Sequence, residues 1–155
     1  MVAHLVAHGL PALGADSSAT AIRLCHDRGA PAIQRDVFAA LPGEGDWDTA
    51  LLADGNIGIG GDPLRLLRRT RGLLRPAGRL LVETEPDGGL WRGQARLRDH
   101  QGSTGSWFPW ATVDPEALRR LASAAGFRVG ASWARHDRWF TEVRPGTDRG
   151  RVSPH

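Results

Sequence analysis

Residues 47–85 contain the pattern that most constrains the fold, because two apolar segments there flank a glycine-rich loop and a helix. Residues 49–53 form the first apolar segment and residues 79–82 form the second. Continuous apolar runs of this length are typical of strands that are covered on both faces of a sheet. Asp62 and Pro63 suit the N-cap and first position of the helix between them. The pattern predicts a parallel strand–helix–strand unit with a ligand crevice at the carboxyl ends of its strands.

The rest of the chain continues this alternation of helices and strands. We predict helices near residues 2–8, 19–27 and 117–125, and short strands near residues 10–15 and 31–33. Two further strands, residues 127–133 and 139–143, are joined by a short turn at His136 and Asp137, and so tight a connection requires an antiparallel pair. The order predicts an α/β fold with a mostly parallel, Rossmann-like sheet that ends in an antiparallel C-terminal hairpin.

The same pattern predicts the domain organisation. We expect one α/β domain over residues 1–144 and a disordered tail over residues 145–155. Residues 86–112 are rich in Gly, Arg and Trp and lack clean periodicity. Long connections without regular structure are usually functional or flexible in compact domains. We therefore interpret residues 86–112 as an insertion or lid within the domain.

The composition argues against several classes of partner. The 155 residues are 41% hydrophobic, which suits one globular domain, and no apolar run approaches the roughly 20 residues that cross a bilayer. The pI of about 10.7 accompanies a net charge of only +3, since all 20 basic residues are Arg and neither Lys nor Tyr is present to titrate near pH 10. These arginines are scattered rather than clustered. We expect neither nucleic acid nor a membrane as a partner.

The cysteine and arginine usage bears on where the protein works. The single cysteine, Cys25, excludes an internal disulfide and predicts a reducing, cytoplasmic setting. Arginine-rich, lysine-free usage indicates a GC-rich bacterial genome, because lysine codons are AT-rich. We predict no metal site, because His4 and His8, four residues apart on a helix, have no third ligand beside them.

Four local blocks, taken in order, resemble class I S-adenosylmethionine-dependent methyltransferases. They begin at Leu13 (Leu-Gly-Ala-Asp-Ser-Ser), Arg35 (Arg-Asp-Val-Phe), Trp47 (Trp-Asp-Thr-Ala-Leu-Leu-Ala-Asp-Gly-Asn) and Leu74 (Leu-Arg-Pro-Ala-Gly-Arg-Leu-Leu-Val-Glu). The last block is similar to the turn and fifth strand of that family, and the C-terminal hairpin is similar to its sixth and seventh strands. The resemblance extends over nearly the whole chain to about Val143.

The resemblance implies a cofactor and the residues that hold it. The cofactor would be S-adenosyl-L-methionine, with Asp16 and the adjacent Ser17 at its ribose, because a carboxylate accepts two hydrogen bonds from vicinal hydroxyls. Asp36 and the backbone of Val37 would contact the adenine. The alternatives are a helix-capping role for Asp16 and an ordinary turn carboxylate at Asp36. Asp54 would lie beside the methionine end, although it is equally suited to binding loop amides.

The front of the chain departs from the family pattern. A glycine-rich loop precedes the acidic residue by about 20 residues in such nucleotide-binding units, and counting back from Asp16 passes Met1. We therefore expect an N-terminally truncated chain, or a start codon placed too late, that lacks the first, central strand and the glycine loop. On this hypothesis the cofactor binds at millimolar strength or not at all.

The remaining candidate residues concern the methyl acceptor. The loop of residues 55–61 does not fit a phosphate-binding motif, and we interpret it either as a substrate-facing loop that includes Asn56 or as an ordinary flexible connection. Trp107 and Trp110 either line an aromatic substrate pocket or pack the insertion onto the sheet. His100 is a weak candidate for a general base, since histidine titrates near neutral pH.

These observations lead to one functional hypothesis and one alternative. The first is a methyltransferase that acts on a small molecule and whose activity is impaired because this sequence lacks the glycine loop. The alternative is a non-catalytic protein with a methyltransferase-like fold, serving in binding or interaction, that does not bind the cofactor.

Overall fold

The structure is a computed structural model that describes residues 1–98 and 101–146. The chain divides into two compact units, residues 1–42 and the residues from Gly43 onward. The predicted domain over residues 1–144 and the role of residues 86–112 remain predictions. The predicted tail begins too early, because Pro145 is the last residue of the final strand, where it pairs with Phe127. Residues 147–155 lie outside the described part of the chain.

The first unit is a small α/β arrangement of two helices and two strands. Its elements are α1 (Val2–Ala7), β1 (Gly14–Asp16), α2 (Ala19–Asp27) and β2 (Ala32–Gln34). The two strands are parallel, with Gly14 opposite Ala32. β1 is shorter than the predicted strand because the Leu10 amide still donates to a helical carbonyl, that of Leu5, and Pro11 has no amide hydrogen. Ser18 is the N-cap of α2, and its side chain accepts a hydrogen bond from the Ala21 amide.

The second unit contains a four-stranded sheet in the order β3-β4-β8-β7. The strands are β3 (Trp47–Leu52), β4 (Leu74–Thr84), β7 (Phe127–Arg135) and β8 (Arg138–Pro145). β3 and β4 are parallel, whereas β4 and β7 both pair antiparallel with β8. The predicted parallel unit and C-terminal antiparallel hairpin are therefore confirmed.

Two capped helices complete the core of this unit. α3 (Pro63–Leu73) and α4 (Pro115–Ala124) both begin with proline after an aspartate N-cap, as their sequences predict. Their apolar sides pack with the sheet, and the fully buried side chains include those of Leu66, Leu67, Leu80, Val82, Leu118 and Val143. This core supports the carboxyl ends of β3 and β4.

β3 is not covered on both faces, which corrects the interpretation of its apolar run. Thr49 and Leu51 are exposed, and Leu52 alone is buried among the strand residues. The reason is topological, since within residues 1–98 and 101–146 β3 is the edge strand of its sheet. An apolar run reports which side chains can be buried, while the neighbouring strands decide whether they are.

The Pro76-Ala-Gly78 segment, whose proline and glycine favour a turn, lies inside β4 as an irregularity of the strand. Trp47 pairs with Leu74 and Thr49 pairs with Arg79, so the intervening residues of β4 bulge outward. Gly78 is required there, because a Cβ atom would lie 2.9 Å from the Trp47 carbonyl oxygen. β4 itself begins at Leu74, the residue directly after α3.

Residues 86–113 contain two strands that the sequence did not predict. β5 (Leu90–Ala95) and β6 (Phe108–Val113) form an antiparallel hairpin. Gly93 and Pro109 interrupt the alternation of apolar and polar residues that identifies a strand, so backbone pairing rather than patterning defines this hairpin. It packs on a short 3₁₀ segment, Asn56–Gly61, that follows β3.

Candidate functional site

The ends of β3 and β4 are held together by a left-handed turn. Asp54 and Gly55 have φ angles of 55° and 76°, and such angles turn the chain sharply. The Asp54 amide donates a hydrogen bond to Oε2 of Glu83 at 2.6 Å. Glu83 is near the end of β4, so this bond joins the carboxyl ends of the two parallel strands.

Arg138, the first residue of β8, completes an ion-pair cluster at the same place. Its Nε donates to Oε1 of Glu83 at 2.6 Å, and one of its terminal nitrogens contacts Oε2 at 2.5 Å. The same nitrogen donates to Oδ1 of Asp54 at 2.7 Å. The hydrogen bonds from Arg138 hold the pKa of Glu83 below its usual value, and the bonds to Glu83 raise the pKa of Arg138. The charge of Arg138 is thus matched within the cluster.

A pocket opens beside this cluster. Its volume is about 100 Å³, which is smaller than the roughly 300–1,000 Å³ of sites for drug-sized ligands. Its walls come from the end of β4, the turn after β3, strand β6 and the turn between β7 and β8. The sequence-predicted crevice at the carboxyl ends of the strands therefore coincides with a pocket inside the second unit.

Trp110 forms the aromatic wall of this pocket. Its ring lies against the 3₁₀ segment, where a Cβ atom on Gly58 would lie 2.8 Å from the ring and 2.1 Å from the Ala111 carbonyl oxygen. Phe108 packs edge-on against the Trp110 ring at 5.8 Å between centroids. Only glycine at position 58 allows strand β6 to approach so closely.

The remaining walls of the pocket are polar. The Thr84 side chain, 8% exposed, has a hydroxyl without a hydrogen-bond partner among the described residues. Glu85 and Asp137 also line the pocket, and their carboxylates form no ion pair within the described part of the chain. Arg138, by contrast, is fully engaged. The pocket therefore combines an aromatic wall, an unpaired hydroxyl and two solvent-exposed carboxylates.

Asp16 and Ser17 lie in the first unit, directly after β1. One carboxylate oxygen of Asp16 accepts a hydrogen bond from the Ser18 amide at 2.7 Å. Its other oxygen has no protein partner in residues 1–98 and 101–146. The Ser17 carbonyl oxygen accepts a hydrogen bond from the Gln34 side chain at 3.2 Å. The aspartate is therefore a turn residue with one oxygen available to a ligand.

Asp36 and Val37 form a second turn in the same unit. The Asp36 carboxylate accepts a hydrogen bond from the Phe38 amide at 2.9 Å, and the Asp36 carbonyl accepts one from the Ala39 amide. Asp36 is exposed and Val37 is half-buried. The structure thus places both predicted adenine contacts in a tight turn after β2.

Of the other predicted residues, the structure describes Asn56 and Trp107 but not His100. Asn56 is exposed at the start of the 3₁₀ segment, and its amide donates to the Ala53 carbonyl. The segment is not a simple flexible loop, because Ile57 and Gly58 within it are buried. Trp107 is 60% exposed under the Arg96 guanidinium and does not line the pocket. His100, the candidate base, lies outside the described residues.

Sequence reasoning missed three wall residues: Glu83, Thr84 and Arg138. Glu83 and Thr84 end a predicted strand, so their position at its carboxyl end was an available signal. Arg138 had no comparable signal, because it follows a hairpin turn 55 residues later in the chain. Its place in the site depends on β8 pairing beside β4.

Two features are absent from the described residues. Among them, no cluster of three histidine, cysteine, aspartate or glutamate side chains is arranged to hold a metal ion. Within the same residues, no helix has both the length and the apolar character needed to cross a membrane.

Comparisons with solved structures identify the fold. An S-adenosylmethionine-dependent methyltransferase from Bacteroides fragilis, solved with S-adenosylhomocysteine, superposes with a TM-score of 0.71 at 22% identity over 92% of this chain and 66% of its own. The Burkholderia thailandensis 1,6-didemethyltoxoflavin-N1-methyltransferase, with its substrate and S-adenosylhomocysteine bound, gives 0.63 at 21% identity over 93% and 65%. The CcbJ methyltransferase from Streptomyces caelestis gives 0.66 at 16% identity over 92% and 78%.

These neighbours define the class of fold. The chain has the α/β, Rossmann-like fold of class I S-adenosylmethionine-dependent methyltransferases, with both parallel and antiparallel strands. It spans slightly less than two thirds of the length of the first two neighbours. The sequence matches no protein-family model and has no significant match among curated proteins. The predicted fold class is confirmed.

Proposed function

We propose that the protein is an S-adenosylmethionine-dependent methyltransferase that acts on a small molecule. The observation that carries the proposal is the pocket at the carboxyl ends of β3 and β4, which the sequence pattern predicts and which Trp110 and Thr84 line. Because a fold by itself does not specify a function, the proposal rests on the pocket in addition to the structural similarity to methyltransferases. The Burkholderia neighbour is an N1-methyltransferase with 1,6-didemethyltoxoflavin bound, which supports a small-molecule acceptor here.

The residues of the first unit have the chemistry that the cofactor requires. Asp16 presents one carboxylate oxygen without a protein partner in the described chain, which suits a ribose hydroxyl. Asp36 and the backbone of Val37 would hold the adenine, and Ser17 would lie beside the ribose. S-adenosylmethionine would supply an electrophilic methyl group, and several neighbours were solved with it or with its demethylated product.

The residues of the second unit would bind and orient the acceptor. Trp110 offers an apolar face, and Asp54 and Asn56 lie at the turn next to the pocket. Alignment of two reactants in a water-poor site accounts for much of the catalysis of a bimolecular displacement. We assign no general base from the described residues, and His100 remains a prediction. On this proposal no base is required when the acceptor already carries a free electron pair.

The other expectations belong to the same proposal. A cytoplasmic location follows from the single cysteine, Cys25. A small-molecule partner rather than nucleic acid follows from the modest net charge of +3. The source organism would be a bacterium, as the arginine usage indicates.

The decisive experiment is a titration with S-adenosylhomocysteine monitored by ligand-detected NMR, which records millimolar binding. We expect binding to the wild-type protein. Asp16→Asn should weaken it at least about tenfold, the value of one hydrogen bond to a charged group. Asp27→Asn, an exposed aspartate at the end of α2, is the matched control and should bind as wild type.

The alternative, a non-catalytic protein with this fold, is favoured by one observation. Asp36 and Asp54 already bind protein groups, the Phe38 amide and Arg138 respectively, so neither needs a ligand. Absence of binding in the titration, together with no methyl transfer to any acceptor, would support this alternative. Equal binding by wild type and Asp16→Asn would remove Asp16 from the site but leave the cofactor.

A further inference from the structure

We propose that Arg138 is a positioning residue that latches the pocket shut. Its guanidinium holds residues 136–138, the latch turn, against the turn that follows β3, and loss of its bond to Asp54 opens the pocket between the two turns. The opening itself stands on the geometry of the second unit. Only its use, the admission of a methyl acceptor, rests on the proposed function.

The closed pocket is too small for a ligand of the proposed class. Its volume of about 100 Å³ corresponds to about three water molecules, at roughly 30 Å³ each. Sites for drug-sized ligands have roughly 300–1,000 Å³. At least one wall must therefore move before such a ligand enters.

Most of the walls are held by the core of the unit. Ile57 and Val113 are at most 2% exposed, and the Glu85 amide donates a hydrogen bond to the Val113 carbonyl oxygen. The Trp110 ring lies against Gly58, where β6 approaches the 3₁₀ segment closely. Because protein cores are close-packed, these walls do not move without loss of packing.

The latch turn is the wall that is free to move. His136, Asp137 and Arg138 are all exposed, and the last two line the pocket. Within the described part of the chain, every side-chain hydrogen bond that joins this turn to another element comes from Arg138. Register pairing of β8 with β4 begins only at the next residue, Trp139. One side chain therefore fastens the turn across the pocket.

The backbone is strained in the same two turns. Asp54, His136 and Asp137 have φ angles of 55°, 50° and 60°, and they are the non-glycine residues with positive φ in the described chain. Non-glycine residues seldom adopt such angles. Strain of this kind clusters at ligand clamps and switch regions. It points to a moving part on grounds that are independent of the pocket volume.

The two carboxylates that bind Arg138 differ in burial. The Glu83 side chain is 13% exposed, whereas that of Asp54 is 76% exposed. An exposed ion pair contributes little in water, while breaking a more buried pair leaves an uncompensated charge. Opening therefore breaks the bond to Asp54 and leaves Arg138 on Glu83.

The test measures opening by NMR on the ligand-free protein. Relaxation dispersion of the backbone amides of residues 136–138 records motion on the microsecond to millisecond timescale. A soluble piperidine nitroxide reports access to the Trp110 ring, whose signals a Trp110→Phe variant assigns. We expect both readouts to detect a minor open state of the wild type. Added salt should raise its population, because exposed charges are screened.

Asp54→Asn tests the latch directly. Asparagine keeps the shape of the side chain and tolerates the left-handed backbone, but it carries no charge. The open population should rise about twofold to fivefold, which is the effect of one exposed ion pair. Asp48→Asn is the matched control, because it removes the exposed pair with Arg75 at the other end of β3. It should leave the latch turn unchanged.

Two variants of Arg138 test whether its fork must reach both carboxylates. Lysine keeps the charge but lacks the planar guanidinium, so the open population of Arg138→Lys should lie between those of wild type and Arg138→Gln. Hydrogen exchange separates a latch from a general loss of stability. A latch changes the dynamics near residues 54–55 and 136–138 alone, whereas general destabilisation also speeds exchange in α4.

The possible outcomes decide the inference. The absence of dispersion from wild type and all variants, an equal response to Asp48→Asn, or faster exchange throughout α4 would overturn it. An Arg138→Lys variant that behaves as wild type would overturn it too. Because no methyl donor or acceptor is present, its failure is distinct from failure of the cofactor titration: a latch turn that opens in a protein that does not bind S-adenosylhomocysteine supports this inference and contradicts the methyltransferase proposal.

Discussion

The acidic side chains of the first unit and those beside the pocket of the second unit have different kinds of hydrogen-bond partner. Asp16 and Asp36 each accept a hydrogen bond from an amide two residues further along the chain. Glu83, at the end of β4, is instead bound by Arg138 from β8, and Glu85 beside it is exposed. The contacts of Asp16 and Asp36 are therefore made within local turns, whereas the contact of Glu83 depends on a strand that is distant in sequence.

The hydrophobic cores of the two units also differ in size. The first has short strands of three residues each, and its buried apolar side chains include only one large residue, Ile22. The second has a core in which Leu66, Leu80 and Leu118 are fully buried. Larger cores tolerate strained or unsatisfied groups better, because other contacts offset their cost. The unpaired Thr84 hydroxyl is buried in this second unit.

The largest expected effect comes from truncating the larger core. Leu66→Ala should lower the free energy of unfolding by about 2–5 kcal/mol, because it leaves a cavity under α3. Ile22→Ala in the first unit should cost less, since its surroundings can relax. Chemical denaturation of both variants measures the difference. An equal cost at the two sites would contradict the comparison of the cores.

The next effect concerns the approach of β6 to the 3₁₀ segment. A Cβ atom at Gly58 would overlap the Ala111 carbonyl oxygen at 2.1 Å, so Gly58→Ala should cost about 1–3 kcal/mol and displace Trp110. Gly72→Ala is the matched control, because nothing lies within 4 Å of its added methyl group. It should stabilise α3 by up to about 1 kcal/mol. Thermal melts and the Trp110 indole signal report both effects.

The Glu83–Arg138 pair should give a smaller, pH-dependent effect. Because the folded pKa of Glu83 lies below its ordinary value of 4.5, the pair contributes stability in full above about pH 5. That contribution is lost as the pH falls through the folded pKa. Glu83→Gln should lower Tm by a few degrees at pH 7 and flatten the acid limb of the curve. The same pH dependence of Tm in wild type and variant would show that the pair does not contribute to stability.

The smallest effect should be confined to the first unit. Ser18 caps α2 by accepting a hydrogen bond from the Ala21 amide at 3.3 Å. Ser18→Ala should cost about 1 kcal/mol and speed hydrogen exchange in α2. Exchange in β4 and β8 should stay unchanged. A matching acceleration in both units would show that the two unfold together.

Local sequence signals predicted much of the framework. The aspartate–proline pairs before α3 and α4 define helix starts through chain-local hydrogen bonds, and the turn at His136 and Asp137 defines the final hairpin. The hairpin of β5 and β6 was missed because glycine, proline and tryptophan mask its periodicity. The exposure of β3 was missed because burial depends on neighbouring strands.

The sequence by itself determined the order of elements, the class of fold and the position of a crevice at strand ends, because these follow from short-range periodicity and turn chemistry. Only the tertiary structure decided that Arg138 neutralises Glu83, that Trp110 rather than Trp107 lines the pocket, and that the Thr84 hydroxyl has no partner in the described chain. These contacts join residues far apart in sequence. Their existence depends on the pairing of β4 with β8 and on the close approach of β6.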